Sequence, residues 1–449
     1  MEKENQKFIH EVFTLALPAG LQQVIDLAVN LIDNIMIGSL GEASISAVSI
    51  SGTYTWLCSV FVMAMAAGAS IISAQDYGNK NLDRIKKLMS FVITLAIIFS
   101  MIFFVITALF PSQILRIYTN VDSVIAPGVA YLKYLKYSIP LFGISTAITV
   151  MLRSVRSVKL GLYNSIFSCF SNVFFNWVFI FGHLGAPAMG VAGAAVGTLI
   201  ARIIQLIVSV VYLFYIEKNL CFRISDFDPR IDLKLFKQFV SITLPLLIMD
   251  ILANLATSAQ TMITGRISDS YLSANSITHM AWQIPSVFCW GIGTAAGIMV
   301  GNSLGNDNFD QAKADSDRFL KATFFFGLFS AIMVQVLIPI LMQFYNITEA
   351  TKTLTHQMGY MASIAAFFIA YNSIICNGVI KSGGHTKKLL RIELLGTWLF
   401  AIPFGYIAAF VLHWPAYVLY LVLRAGNIIK SSWGIYYLKH GKWMQKIVD

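Results

Sequence analysis

Apolar runs long enough to cross a membrane alternate with short polar connections along the whole chain. A membrane-spanning helix needs about 20 mainly apolar residues, and stretches such as "FVITLAIIFSMIFFVITALF", Phe91–Phe110, meet that length. The pattern predicts an all-α polytopic membrane protein of about twelve transmembrane helices. The expected cores of these spans are 11–37, 46–75, 89–110, 122–150, 160–182, 190–216, 238–264, 274–301, 317–341, 352–380, 389–412 and 415–437.

The second half of the chain repeats the first at a nearly constant offset. Pro18 pairs with Pro245, Ser46 with Ser273 and Gly78 with Gly305, all at the same offset, and Arg153 pairs with Lys381 at an offset one position longer. Several matches in order at one offset indicate an internal duplication. We expect two six-helix lobes, 1–225 and 226–449. Because each repeat holds an even number of spans, a pseudo-twofold axis along the membrane normal should relate them.

Punctuating residues recur in the two repeats. The motif "GNKN" at Gly78 returns as "GNDN" at Gly305. We expect both glycines to end helices with a positive φ, and the asparagines after them to cap the helices that follow.

The charged residues are few and unevenly placed. They make up 12% of the 449 residues, about half the share typical of soluble chains. The net charge is +10, and most Lys and Arg residues lie in alternate connections, as in the segment from Lys80 to Lys87. This is the positive-inside pattern. It favours a multi-pass protein of the plasma (inner) membrane with both termini cytoplasmic, and it argues against nucleic acid as a partner.

The sequence offers little for enzymatic chemistry. The five cysteines are scattered without a metal or redox spacing. No nucleotide-binding motif of the G-x-x-x-x-G-K type is present, and no set of nucleophile and base stands out on a span. We therefore expect no enzyme activity, no cofactor and no direct use of ATP.

A polar stripe runs along the first span. Gln22, Asp26, Asn30 and Asp33 fall on one helical face. A carboxylate at the centre of a membrane helix costs roughly 2.5–3.5 kcal/mol on insertion scales, so such a residue should face protein or water and have a function. The corresponding helix of the second repeat carries Asp250 but has Gln260 where Asp33 would be.

Further oxygen-bearing side chains lie on the fifth and sixth spans. Asn172 and Asn176 are one helical turn apart, and Thr198 follows a run of small residues that lets helices approach closely. Together with Asp33 they offer the oxygen ligands that a hard monovalent cation such as Na⁺ needs, whereas a proton needs only Asp33. The ion therefore stays open between Na⁺ and H⁺.

Aromatic and thioether side chains on other spans could contact an organic substrate, since aromatic faces attract organic cations and Met adapts to varied shapes. Each could equally be ordinary helix packing. The candidate cavity residues are Gln22, Asp26, Asn30, Trp56, Met63, Asp250 and Trp282.

The whole chain resembles the multidrug and toxic compound extrusion (MATE) family of the MOP flippase superfamily. The resemblance is carried by "LPAGLQQVIDLAVNLIDNIMIGSLGEASISAVSI", "GASIISAQDYGNKN" and "NGVIKSGGHTKKLLRIELLGTWLFAIPFGYIAAF". It implies a secondary active antiporter that exports organic, cationic or amphiphilic compounds in exchange for Na⁺ or H⁺ by alternating access. It also implies an ion-coupling set at Asp33, Asn172, Asn176 and Thr198.

Some positions depart from the family pattern. Asn176 stands where one branch has Asp, Ala253 stands where another has Glu, and His385 replaces the usual Asp of the last cytoplasmic loop. These departures leave the coupling ion open.

An alternative from the same superfamily is a flippase for lipid-linked oligosaccharides or another lipid. Its phosphates would need basic residues in the cavity, for which Lys133, Lys136, Arg202 and Arg424 are available. The first two spans carry no Lys or Arg and two Asp residues instead, which favours cations.

We expect small-molecule substrates and membrane lipids as partners, and a monomer.

Overall fold

The computed structural model describes residues 2–345 and 347–448, and the regular structure among them is helical. The α-helices are α1 (Glu2–Gly38), α2 (Glu42–Gly78), α3 (Leu82–Leu109), α4 (Pro111–Arg116), α5 (Asp122–Leu135), α6 (Ser138–Ser154), α7 (Lys159–Phe181), α8 (Val191–Val211), α9 (Leu233–Gly265), α10 (Asp269–Gly305), α11 (Phe309–Met342), α12 (Glu349–Tyr371), α13 (Thr386–Glu393), α14 (Ile402–Phe410), α15 (Ala416–Leu423) and α16 (Ala425–His440). Three π-helical segments (Tyr212–Ile216, Asn372–Ile380 and Leu394–Ala401) and a 3₁₀ turn (Ile224–Asp226) complete them.

Each of the twelve expected spans coincides with one helix or with consecutive helices. Within the described residues, ten helical stretches are long and apolar enough to cross a membrane, and the bent pair α5 and α6, at 53°, makes eleven if it counts as one span. The span expected at 415–437 falls on α15 and α16, which meet at Arg424. The prediction of an all-α, multi-pass membrane protein is confirmed.

The chain separates into two compact units, and each draws on more than one stretch of sequence. The N-terminal unit comprises Leu21–Ser73 and Asn81–Phe239. The C-terminal unit comprises Met1–Gly20, Ala74–Lys80 and Val240–Asp449. The predicted boundary between the two six-helix lobes, 1–225 and 226–449, stays a prediction.

The N-terminal unit has an apolar cluster that includes residues of α1, α7 and α8, the helices that carry the expected ion-coupling residues. Leu115 and Leu132 are fully buried there, with Ile37 of α1 and Ile180 of α7. Ala194 and Ala195 of α8 belong to the same cluster. Because alanines and glycines have little bulk, α8 lies close to α7, and this brings the polar residues of both helices together.

The C-terminal unit packs around large buried side chains. Tyr271 and Tyr420 are fully buried, and they share a cluster with Val334 of α11 and Met358 of α12. The π-helical segment Asn372–Ile380 follows α12 directly and is almost entirely buried. A π-helical segment is rare and often marks a functional site.

The connection after α2 and the one after α10 have the same build. Asn81 and Asn308 are the N-caps of the next helices, and their side chains accept hydrogen bonds from the backbone N–H groups of Arg84 and Gln311. The expected caps are therefore present. The positive φ that we expected at Gly78 and Gly305 occurs instead two residues later, at Lys80 (59°) and Asp307 (55°).

Those two glycines, Gly78 and Gly305, serve close packing within the C-terminal unit. A Cβ atom on Gly78 would overlap the carbonyl oxygen of Asn302, and one on Gly305 would overlap the carbonyl oxygen of Gln75. The ends of α2 and α10 therefore touch backbone to backbone. Asn302 strengthens the contact, because its side chain donates to the Ala74 carbonyl at 2.7 Å.

Gln75 also fastens the segment after α16. Its side-chain nitrogen donates to the carbonyl oxygens of Ser382 (2.9 Å) and Gln445 (3.1 Å). Its side-chain oxygen accepts from the backbone N–H of Ile447 at 2.7 Å. Trp443 in this segment is only 2% exposed, so residues 442–448 pack against the C-terminal unit as part of its fold.

We expect Gly305→Ala to lower the melting temperature of the purified protein by several degrees. The new methyl group meets a backbone oxygen that cannot move aside, and overpacking of this kind costs typically about 1–3 kcal/mol. The matched control is Gly265→Ala, because a Cβ atom there has no neighbour within 4 Å. Thermal unfolding in detergent would measure both, and equal melting temperatures would contradict the proposed backbone contact.

Candidate functional site

Asp33 of α1 and Asn176 of α7 are joined directly. The Asn176 side-chain nitrogen donates to Asp33 Oδ1 at 2.7 Å and to Asn172 Oδ1 at 3.2 Å. Both asparagines are buried, at 1% and 3% exposure. An amide hydrogen bond to a carboxylate is stronger than one between neutral groups, so it offsets part of the cost of holding Asp33 inside a membrane helix.

Thr198 of α8 extends this arrangement. Asn172 donates from its side-chain nitrogen to Thr198 Oγ1 at 3.4 Å. The four residues of the expected ion-coupling set therefore form one hydrogen-bonded chain across α1, α7 and α8. That this chain binds an ion stays a prediction.

Gly197 makes room for the buried end of this chain. A Cβ atom there would overlap the side-chain oxygen of Asn176. That oxygen is buried and has no hydrogen-bond partner among the described residues. A buried carbonyl-type oxygen without a partner is costly and is an acceptor that a cation can use. The chemistry of the oxygen set thus fits a small hard cation.

The second acid of the stripe, Asp26, lies about two turns earlier on α1 and has a different partner. Ser165 of α7 donates to Asp26 Oδ1 at 2.6 Å. One turn before it, Gln22 accepts from Arg153 Nη2 at 2.7 Å. Gly161 lies against this bond, since a Cβ atom there would overlap the Gln22 side-chain oxygen. The stripe on α1 is therefore held along its length by α7 and by the end of α6.

Arg202 of α8 supplies a second guanidinium. It is close enough to attract both Asp26 and Asp33, it donates to Gln205 at 2.6 Å, and its guanidinium carbon lies 4.6 Å from the centre of the Phe142 ring. With Arg153, the site holds two carboxylates and two guanidiniums. Their formal charges cancel, which lowers the cost of burying all four.

Other expected site residues lie outside this arrangement. Asn30 is exposed, and its side chain donates to the Asp26 carbonyl of its own helix at 2.8 Å. Trp56 and Met63 of α2 are 42% and 37% exposed, and none of the described contacts joins them to Asp33.

Asp250 and Trp282 belong to the C-terminal unit. Trp282 packs against the buried cluster of that unit and meets the His279 ring edge to face at 5.2 Å. Gln260, at the position equivalent to Asp33, donates to the Leu423 carbonyl at 2.7 Å. The second repeat therefore uses that position for a helix contact.

Sequence reasoning missed three partners of the stripe. Arg153 lies beyond the end of the predicted span 122–150, yet its guanidinium reaches Gln22. Ser165 carried no signal, because serines are common in membrane helices. Arg202 was considered only for a flippase, although a basic residue within an apolar span already indicates a nearby acid.

No group of three or more His, Cys, Asp or Glu side chains in the described part of the chain could hold a metal ion. A transition-metal site of the usual kind is therefore not among the described features. The Asp33 arrangement differs in kind, because amide and hydroxyl oxygens supply most of its acceptors.

The sequence profile of the MatE family matches residues 18–178 and 245–407, the two repeats. The chain belongs to the MatE family. Members of this family are transporters. The prediction of a MATE family transporter, drawn from the sequence resemblance, is therefore confirmed. Among its relatives is the probable multidrug resistance protein YoeA of Bacillus subtilis, 24% identical over 412 residues, with 90% of this chain and 88% of the relative covered.

Solved transporter structures match the chain over nearly its whole length. One is a MOP superfamily transporter from Pyrococcus furiosus, described as having a binding pocket of reverse polarity that suggests a different function. It gives a TM-score of 0.85 at 15% identity and covers 96% of this chain and 94% of its own. The bent form of the MATE transporter VcmN from Vibrio cholerae gives 0.84 at 15% identity, covering 98% and 99%. These likenesses establish the fold.

We expect Ser165→Ala to lower the melting temperature more than Ser171→Ala on the same helix. The first change removes a donor from the half-buried Asp26 carboxylate, and losing a hydrogen bond to a charged group costs about 1.5–3 kcal/mol. The Ser171 hydroxyl only donates to the Phe167 carbonyl of its own helix. Thermal unfolding of the two variants tests this, and equal shifts would mean that Ser165 does not stabilise Asp26.

Proposed function

We propose that this chain is a secondary active efflux antiporter that exports organic, cationic or amphiphilic compounds in exchange for Na⁺ or H⁺ by alternating access. Its membership of the MatE family supports the export function, as do several relatives that carry the name multidrug resistance protein. The observation that carries the coupling proposal is the contact between Asp33 and Asn176. Among the described residues, this amide is the hydrogen-bond partner of a carboxylate that lies inside a membrane helix.

The amide of Asn176 has the properties that an exchange of ions needs. Its nitrogen donates to Asp33, and its oxygen lies beside Gly197 without a partner among the described residues. When a cation or a proton neutralises Asp33, that donor is no longer required. A rotation of the amide then presents oxygen to the ion instead of nitrogen. Binding would therefore break the hydrogen bond between Asn176 and Asp33, one of the bonds between α7 and α1, and release would restore it.

Thr198 and Asn172 complete the proposed ion path. Both carry oxygens within the same hydrogen-bonded chain, and hard cations prefer oxygen ligands. A proton would use only the Asp33 carboxylate. The same residues thus serve either ion, and they couple its binding to the packing of α1 on α7 and α8.

The lipid flippase alternative is not favoured. The relatives are named for drug resistance, and the part of α1 inside the membrane and the whole of α2 lack basic residues. Arg202, the basic residue that could have served a phosphate, lies beside Asp26 and Asp33 and is already neutralised by them.

Several further features belong to the proposal. We place the chain in the plasma membrane with both termini cytoplasmic, because the basic connections alternate with nearly uncharged ones. Its substrates are small molecules, its surroundings are membrane lipids, and it acts as a monomer. It needs no cofactor beyond the coupling ion and catalyses no chemical reaction.

Asp33→Asn should abolish gradient-driven export of a cationic dye, while Asp250→Asn should retain most of it. The first substitution removes the charge that the ion neutralises, and Asn cannot titrate. Its fold should persist, because asparagine keeps the shape of the side chain and an oxygen that can accept from Asn176, and Arg202 keeps its attraction to Asp26. Export rate per folded molecule, measured in proteoliposomes under one imposed Na⁺ or pH gradient, gives the comparison.

The opposite order of effects would contradict the assignment of ion coupling to Asp33. If Asp33→Asn keeps most activity and Asp250→Asn loses it, the coupling site belongs to the second repeat. Running each gradient separately also distinguishes Na⁺ from H⁺, and export driven by ATP at zero gradient would exclude secondary transport.

The orientation can be tested by cysteine labelling in whole cells. In a background with the exposed Cys221 changed to Ser, Arg230→Cys should react with a membrane-impermeant thiol reagent only after the cells are opened. Lys352→Cys should react in intact cells. The reverse result would overturn the proposed placement of the termini.

A further inference from the structure

The two repeats keep buried bases at equivalent positions. Lys381 is the repeat counterpart of Arg153, and Lys430 is the counterpart of Arg202 at the same offset. In the N-terminal unit both bases serve the acids of α1. The C-terminal unit retains the bases, so it needs acids of its own.

Those acids come from different helices. Ala253 stands where Asp26 would be, and Asp250 lies about one turn before it on α9. The other acid is Glu393 at the end of α13, which is the repeat counterpart of Ser165. Asp250 is close enough to Lys381, Lys430 and Glu393 for electrostatic interaction, and Lys381 is close enough to Lys430. We call these four residues the C-terminal quartet, and its formal charges cancel.

One half of the quartet is closed. Lys430 Nζ lies 2.9 Å from Glu393 Oε2, and the two side chains are 6% and 13% exposed. Thr397 donates to the other Glu393 oxygen at 2.8 Å. This pair satisfies itself and leaves no charge for a ligand.

The other half is open. Asp250 and Lys381 are half-buried and attract each other. Within the described residues, however, no hydrogen bond or ion pair joins the Asp250 carboxylate or the Lys381 ammonium to another side chain. Two opposite charges are thus held near each other without direct contact, next to a pair that has closed.

The helical stretch that leads to Lys381 holds a buried acceptor without a partner. The side-chain oxygen of Asn372 is buried and has no partner among the described residues, although its nitrogen donates to Asn427 at 2.9 Å. Asn372 begins the π-helical segment that ends just before Lys381. Asn427 lies one turn before Lys430 on α16. The stretch that positions Lys381 therefore combines an unsatisfied acceptor with a distorted helix.

Polar residues lead along α9 from Asp250. Asn254, Thr257 and Thr261 follow it at helical spacing and are exposed. Each of these side chains donates to a backbone carbonyl one turn earlier on α9, and its remaining acceptor needs protein or water, since lipid offers no donor. A solute that reaches this face also reaches the half-buried Asp250.

We propose that Asp250 and Lys381 form a subsite for a zwitterionic organic group, with its ammonium on Asp250 and its carboxylate on Lys381. The subsite rests on the proposed export function in that its ligand is a transported compound. A cation alone would leave Lys381 without a partner, and an anion alone would leave Asp250 without one. A group with both charges matches the open pair in sign at both ends.

Equilibrium binding of three matched probes to the full-length protein in nanodiscs tests the subsite. The probes are one fluorescent aromatic amino acid, its methyl ester and its N-acetyl derivative, which are mainly a zwitterion, a cation and an anion at about pH 6. We expect the zwitterion to bind about five- to tenfold more tightly than either derivative. No gradient is applied, so a failure of ion coupling at Asp33 does not affect this measurement.

Two variants should respond in opposite directions. Lys381→Gln should weaken zwitterion binding about five- to tenfold and strengthen ester binding, because a positive charge is lost. Asp250→Asn should weaken zwitterion binding equally and strengthen binding of the N-acetyl acid. The matched control is Lys133→Gln, an exposed lysine of the N-terminal unit, which should leave all three affinities unchanged.

The crossed response separates the subsite from a structural role. A misfolded variant would weaken all three probes alike, and that pattern would overturn the proposal. Equal binding of the three probes to the unsubstituted protein would also overturn it. Gradient-driven export of a cationic dye by the same preparation reports on the export function separately.

Discussion

The structure depends on the requirement that a charge inside a membrane helix must be balanced within the protein. In the N-terminal unit, Asp26 and Asp33 on α1 are balanced by Arg153 and Arg202. The helices that supply these bases cannot separate from α1 without exposing a charge to lipid. The polar groups therefore set which helices are neighbours, and apolar packing fills the remaining space.

This requirement explains where the glycines are needed. Polar side chains cross the gaps between helices only where the backbone comes close, and Gly161 and Gly197 lie beside the side chains of Gln22 and Asn176. A Cβ atom at either position would overlap the group that makes the polar contact. Small residues and buried charges are thus two parts of one arrangement. A change at either glycine should act on the electrostatics as well as on the packing.

Much of the fold followed from the sequence, because the length of an apolar run directly reflects the thickness of a membrane. The grouping of Asp33 with Asn172, Asn176 and Thr198 also followed, from helical spacing and from family resemblance. Helical spacing shows which residues share a face, but it does not show what that face meets. The spacing therefore does not predict that Arg153 reaches Gln22 or that Ser165 reaches Asp26.

The C-terminal unit was harder to anticipate for a related reason. The duplication predicts equivalent backbones, and Gly78 and Gly305 do pack alike. The acids, however, have moved between helices, from Asp26 on α1 to Glu393 at the end of α13. Neither the offset nor the apolar pattern predicts such a move. The π-helical segments add one more residue to a turn and shift every later side chain around the helix, so a regular helical period misassigns their faces.

The bonds of Gln75 with Gln445 and Ile447 have a consequence for the order in which the protein forms. Every residue of the N-terminal unit is present once residue 239 has been synthesised, whereas Gln75 finds these two partners only when residues 445–447 have been made. At about 5–20 residues per second, the interval between the two events is on the order of 10–40 s. During it, the end of α2 has already been inserted, yet its buried amide lacks its native partners. The C-terminal unit therefore closes late, around a helix end that the insertion machinery or water must meanwhile satisfy.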